Sequence, residues 1–149
     1  MELKIKAVSP HIGDSIPFPF YASAGAAGMD LSACIDAPVT LEPHQIVRIP
    51  TGVAIALPSA EYVALVFARS GLGIKHGVAL ANGVGVIDSD YRGEIQVGLI
   101  NQSDTPYTIE PGERVAQLAV MPVVQPTLVP VDTLDETERG AGGFGSTGK

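Results

Sequence analysis

Hydrophobic residues in this chain fall in short blocks or alternate with polar ones, and no segment sustains a helical period between caps. "LKIKAV" (3–8) alternates strictly. "QIVRIPTGVAIAL" (45–57) is β-branched and broken by Pro50 and Gly52. "YVALVFA" (62–68), "EIQVGLIN" (94–101) and "RVAQLAVMPVV" (114–124) are short and rich in Val, Ile and Leu, as strands are. Turn-forming residues separate them: "EPH" at 42–44, "LPSAE" at 57–61, "NQSDTP" at 101–106 and "EPGE" at 110–113. Short strands spaced about 8–12 residues apart, with Pro and Gly between, predict an all-β sandwich or barrel. One helical turn is expected after "ARSG" (68–71).

The C-terminal end breaks this pattern. Five of the last ten residues are Gly, and Phe144 is the single large apolar side chain there. Such a segment has little to bury and much backbone entropy to lose. The expected organisation is one β domain over 1–138 and a flexible glycine-rich arm over 139–149. The arm ends in "GFGSTGK", which imitates the start of a phosphate loop. The closing Ser or Thr and the following helix are missing, so that reading is set aside.

Composition narrows the picture. A chain of 149 residues suits a single domain. With four Phe, four Tyr and no Trp, the core must be aliphatic. The net charge of −7 argues against a nucleic-acid partner, which would need many cations to neutralise phosphates. It leaves room for a small anion held by a few placed cations. The lone Cys34 permits no internal disulfide, suits a reducing compartment and reads as a small buried hydrophobe. With no long apolar run and no signal-peptide core, a soluble cytoplasmic protein without a membrane partner is expected.

The candidate chemistry lies in the turns. Arg69, Arg92, Arg114 and Arg139 each sit beside a glycine-containing segment. Glycine lets backbone N–H groups approach an oxyanion, and a guanidinium adds bidentate charge-assisted bonds. Asp88 follows the apolar run Gly85-Val86-Ile87. It is expected at the end of a buried strand, where partial burial suits a general base. Asp30 enters a strand from a small-residue loop, a position where aspartate more often caps a turn. The three histidines have no zinc-type spacing, and Ser70 is not in a hydrolase elbow.

Five segments together resemble the homotrimeric dUTPase family (deoxyuridine triphosphate nucleotidohydrolases). They are "AGAAGMDLSA" (24–33), "ARSGLG" (68–73), "NGVGVIDSDYRGE" (82–94), "GERVAQL" (112–118) and "RGAGGFGSTG" (139–148). The resemblance implies a jelly-roll-like, distorted β-barrel, trimeric, with active sites shared between subunits. It implies hydrolysis of dUTP to dUMP and pyrophosphate, limiting dUTP and supplying dUMP for thymidylate synthesis.

By the same resemblance, Asp88 would activate the water that attacks the α-phosphorus. Mg2+ would be held chiefly by the phosphates, with Asp30 and Gln117 near its shell through water. Arg69, Ser70 and the Gly71 N–H would contact the phosphate chain. Arg139, Gly145, Ser146 and Thr147 would close on the γ-phosphate, and Phe144 would stack on uracil. Asn82, the backbone of Gly85, Val86 and Ile87, and the strand beginning at Glu94 would read the base. Tyr91 would pack on the deoxyribose and exclude a 2′-hydroxyl.

Ala68 stands where many members carry proline. Asp90, Arg92 and Arg114 are read as structural. Two alternatives remain: a dCTP deaminase or bifunctional deaminase–dUTPase, for which Glu94 is the one acid to consider, and a non-catalytic nucleotide-binding or regulatory module.

Overall fold

The computed structural model describes residues 1–143. Its elements run β1 (Lys4–Ala7), β2 (Met29–Ser32), β3 (Val39–Leu41), β4 (Ile46–Pro50), β5 (Val53–Ala56), β6 (Tyr62–Ala68), α1 (Ser70–His76), β7 (Val78–Leu80), β8 (Gly85–Ile87), β9 (Gln96–Asn101), β10 (Tyr107–Ile109) and β11 (Arg114–Pro122). The strands form four small sheets, in the orders β1-β5, β10-β3, β2-β11-β6-β8 and β4-β9-β7, and every pairing between them is antiparallel. Together they wrap one aliphatic core, the all-β barrel that the strand pattern predicts, in the jelly-roll-like form that the family resemblance implies. Leu31, Leu41, Ile49, Val53, Leu99, Ile109 and Leu118 lie at its centre, and Cys34 packs among them as a free thiol.

Alternation places the core. In β9, Val97, Leu99 and Asn101 point inward while Gln96 faces out. Buried Asn101 is satisfied by Leu41, Thr105 and Ser103, so it carries no desolvation penalty. The run 45–57 splits into β4 and β5 at Gly52, whose φ is +71°. A Cβ there would sit 2.6 Å from Cys34 Sγ and 2.7 Å from Ile12, so only glycine fits this corner.

Helix α1 differs from the expected single turn. It starts inside "ARSG", at Ser70, and runs for seven residues. Leu72 is its one buried side chain, and Lys75 and His76 complement the dipole in its last turn.

β1 also departs from expectation, because all four of its residues are exposed despite their alternation. Among the described residues it pairs only with β5, along one edge. Beyond Pro122 the described chain has no further strand or helix, and Val124, Leu128 and Leu134 are each more than 80% exposed. No helix among the described residues is long and apolar enough to cross a membrane.

Candidate active site

The predicted site residues separate into two groups on this chain. The first surrounds a cleft of about 510 Å³ between β8 and the start of β9, a size that suits a small ligand. Val86, Ile87 and Asp88 line one side, and Glu94, Ile95 and Gln96 line the other, with Tyr91 and Arg48 also on the wall. β8 is the edge strand of its sheet, paired with β6 on one side only. Its outer edge therefore offers unpaired N–H and C=O groups, which can read the rim of a planar base. Asn82, in the turn before β8, brings its amide nitrogen within 3.9 Å of where a Gly85 Cβ would be.

Asp88 corrects one expectation. Its side chain is exposed rather than half-buried. The cause is the edge position of β8, whose outward face the described residues leave uncovered; Val86 beside it is 62% exposed. A second cleft, of about 630 Å³, opens on the far side of Val86 and Asp88 and reaches Tyr62 and Val63.

Tyr91 folds back over its own turn. Its hydroxyl donates to the Glu94 carbonyl at 3.0 Å, and the phenol lies so close over Gly93 that a Cβ there would overlap it. Arg92 Nη1 donates to the carbonyls of Ser89 (2.7 Å) and Tyr91 (2.8 Å) within its own turn. Glu94 Oε1 accepts the Gly52 N–H at 2.7 Å and Oε2 accepts from Gln96 at 3.1 Å. The one acid considered for deaminase chemistry is thus committed to holding the chain.

The second group lies at the other end of β6. Asp30, on β2, is 8% exposed and receives two guanidiniums: Arg69 Nε at 3.1 Å and Arg114 Nη1 at 2.9 Å. Arg69 also donates to the Arg114 carbonyl at 3.0 Å. Each of its oxygens accepts from one arginine, which fixes the direction of Arg69, and each keeps a second acceptor site. Gln117, opposite Asp30 in the β2–β11 register, donates to the Ala68 carbonyl at 3.1 Å and leans over Gly28. Ser70 and Gly71 are exposed in the first turn of α1, where backbone N–H groups have no intrahelical acceptor.

The far end of that helix is fixed as well. His76 packs on the Tyr107 ring with centroids 4.8 Å apart, and the Tyr107 hydroxyl donates to Glu113 Oε1 at 2.5 Å. Burial, then the Glu113 hydrogen bond and charge, push the Tyr107 phenol up to about 12. A raised folded-state value means that the native chain holds this proton more tightly than the unfolded one. The stabilisation is complete below the unfolded value near 10 and is lost as pH rises towards about 12. Alkaline unfolding should therefore steepen over that window in the parent and less in Tyr107→Phe, a difference that paired denaturation curves would measure.

The two groups do not meet within one chain. Ile87 faces Ala64 across β6–β8, which puts Asp88 beside Val63. Arg69 lies six residues farther along, roughly 20 Å away at strand rise. Arg139 belongs to neither group; its Nε donates to the Gly142 carbonyl at 2.9 Å within its own turn. Phe144, Gly145, Ser146 and Thr147 lie outside the described residues. Arg48 and the Gln96 side chain were not picked out by sequence reading. Outward-facing alternation in β4 and β9 was the available signal, but it does not say that the two strands are neighbours at the cleft.

The model of the dUTPase family matches residues 14–148. A deoxyuridine 5'-triphosphate nucleotidohydrolase of Paraburkholderia phymatum is 52% identical over 149 residues, covering all of this chain and 99% of that one. Its counterpart in Desulfitobacterium hafniense is 55% identical over 146 residues, 98% of this chain and 97% of that one. Among solved structures, the dUTPase of Staphylococcus bacteriophage 80alpha with dUPNHPP superposes with a TM-score of 0.86 at 29% identity, over 99% of both chains.

Proposed function

The chain belongs to the dUTPase family, and on that premise we propose that it hydrolyses dUTP to dUMP and pyrophosphate by attack of water on the α-phosphorus. One observation carries this reading: Asp88 and Tyr91 share a cleft with the free edge of β8. The edge supplies donors and acceptors to a pyrimidine, Tyr91 closes on the sugar, and Asp88 stands at the mouth where the α-phosphate emerges.

Asp88 accepts a proton from the attacking water and orients it. Asn82 and the backbone of Gly85, Val86 and Ile87 select the uracil edge, since a site built to match one pattern of donors rejects a base that presents another. Ile95 uses its main chain on Thr51 and Val53, and Gln96, the first residue of β9, offers its backbone to the base; its strand partner Pro50 turns its carbonyl away, to the Cys34 N–H at 2.8 Å. Arg69, aimed by Asp30, and the first N–H groups of α1 take the phosphate chain. Gln117, Arg139, Gly145, Ser146 and Thr147 complete that half, and Phe144 stacks on the base.

Among the described residues no three His, Cys, Asp or Glu side chains gather to hold a metal. That donor set fits a Mg2+ that arrives on the triphosphate and keeps most of its waters. Bound there, it would supply positive charge to the phosphates. Asp30 and Gln117, opposite one another in the β2–β11 register, are the residues that would meet its waters.

The distance between Asp88 and Arg69 supports a site shared between subunits of a homotrimer. Both must lie within hydrogen-bond reach of one small anion, and on one chain they lie roughly 20 Å apart. Exposed apolar side chains such as Ile46, Val86 and Leu128 give a second copy something to cover. Mixing Asp88→Asn with Arg69→Ala chains should restore turnover that neither variant has alone. No recovery would place both residues in the site of a single subunit. Hydrolysis in heavy-oxygen water should put the label in dUMP; label in pyrophosphate would refute attack at the α-phosphorus.

A further inference from the structure

We propose that Glu94 is the positioning residue of the sugar wall: its carboxylate sets the Tyr91–Glu94 turn on the β4–β5 corner and so fixes the ring that rejects a 2′-hydroxyl. The proposal rests on the role given to Tyr91 above.

The chain of contacts is continuous. The corner is rigid, because Gly52 is packed too closely for any side chain and its carbonyl accepts the Val8 N–H at 2.8 Å. Its own N–H points at Glu94 Oε1 at 2.7 Å, a charge-assisted bond between residues 42 apart in sequence. Gln96 Nε2 steadies the other carboxylate oxygen at 3.1 Å. The carbonyl of the same Glu94 then receives the Tyr91 hydroxyl at 3.0 Å. The phenol is therefore located by a peptide group that the Glu94 side chain holds.

Strand β9 does not need this anchor to stay in place. Ile95 is tied to the same corner by its N–H to the Val53 carbonyl at 2.9 Å, and its carbonyl accepts Thr51 Oγ1 at 2.6 Å. What the Glu94 carboxylate adds is the orientation of the preceding residue and, with it, the placement of the ring in the cleft. Any side chain that presents an acceptor at this position preserves the link; one of equal length without an acceptor breaks it.

The test measures kcat and KM for dUTP and UTP, with melting curves, in the parent, E94Q, E94M, Y91F and Y91A. E94Q keeps the acceptor and should discriminate between the two substrates within about twofold of the parent. E94M should lose about tenfold in the ratio of kcat/KM values and should melt some degrees below the parent while still folding cooperatively, because the buried Gly52 N–H loses its charged acceptor. Y91F cuts the same link at the phenol end and should shift the ratio in the same direction. Unchanged discrimination in E94M, or equal losses in E94M and E94Q, would overturn the proposal. If E94M does not fold, Y91F decides, and a parental ratio there overturns it. A parental ratio in Y91A sinks the sugar-wall role itself, whereas loss in Y91A with none in E94M sinks the Glu94 proposal alone.

Discussion

Asp88→Asn leaves the fold and nucleotide binding intact and lowers kcat by roughly two to four orders of magnitude, the range expected when a general base is removed. The change is conservative in shape. It removes only the capacity to take a proton, while the Asp88 carbonyl still receives the Tyr91 N–H at 3.2 Å and keeps the turn. The side chain is exposed, so stability should move by less than about 0.5 kcal/mol. KM for dUTP should change little, because the base and phosphate contacts remain. Steady-state kinetics beside a melting curve separate these effects. A variant that turns over dUTP at near-parental rate removes Asp88 from the base role, and one that melts much earlier shows a structural role instead.

Asp30→Ala should produce the opposite profile, with a large loss of stability and a rise in KM. The substitution leaves Arg69 and Arg114 facing each other without the anion between them, and their side chains are only partly exposed, at 26% and 44%. Breaking a buried ion pair by removing one partner costs up to about 3–5 kcal/mol, and the partial exposure here places the cost near the lower end, about 3 kcal/mol. For a chain of this length that lowers the melting point by roughly 6–12 °C. Arg69 also loses the contact that aims it, so dUTP should bind more weakly below the melting transition. Asp30→Asn, which keeps the shape but not the charge, should fall between Asp30→Ala and the parent. Denaturation curves and KM measured well below the transition test both parts; unchanged stability would mean that the two arginines find other partners.

These contrasting roles were legible in the sequence to different degrees, for identifiable reasons. β6 was readable to the residue, because "YVALVFA" is flanked by Glu61 and Arg69 and its whole length is engaged by β11 and β8. "EIQVGLIN" was read two residues too long at its start. Ile95 is buried by its bonds to Thr51 and Val53 rather than by the β9 ladder, and hydrophobicity alone does not separate the two. The exposure of Asp88 was misread because an apolar run does not reveal that its strand lies at an edge.

Asp30 was recognised as a site residue, but its partners lie 39 and 84 positions away, and no local pattern encodes pairings at that range. Glu94 illustrates the same limit: its acceptor role is invisible until the β4–β5 corner is folded beside it. What the sequence made plain was the clustering of Asp88 and Tyr91, because two residues three positions apart on one tight turn stay together in almost any fold.

Pyrophosphate release measured in parallel from dUTP, dCTP, dTTP and UTP, with and without Mg2+, separates dUTP hydrolysis from every rival activity. The expected result is Mg2+-stimulated release from dUTP far above the other three, dUMP as the nucleotide product and no ammonia from dCTP. Equal release from all four nucleotides, ammonia from dCTP, or no release from dUTP would contradict it.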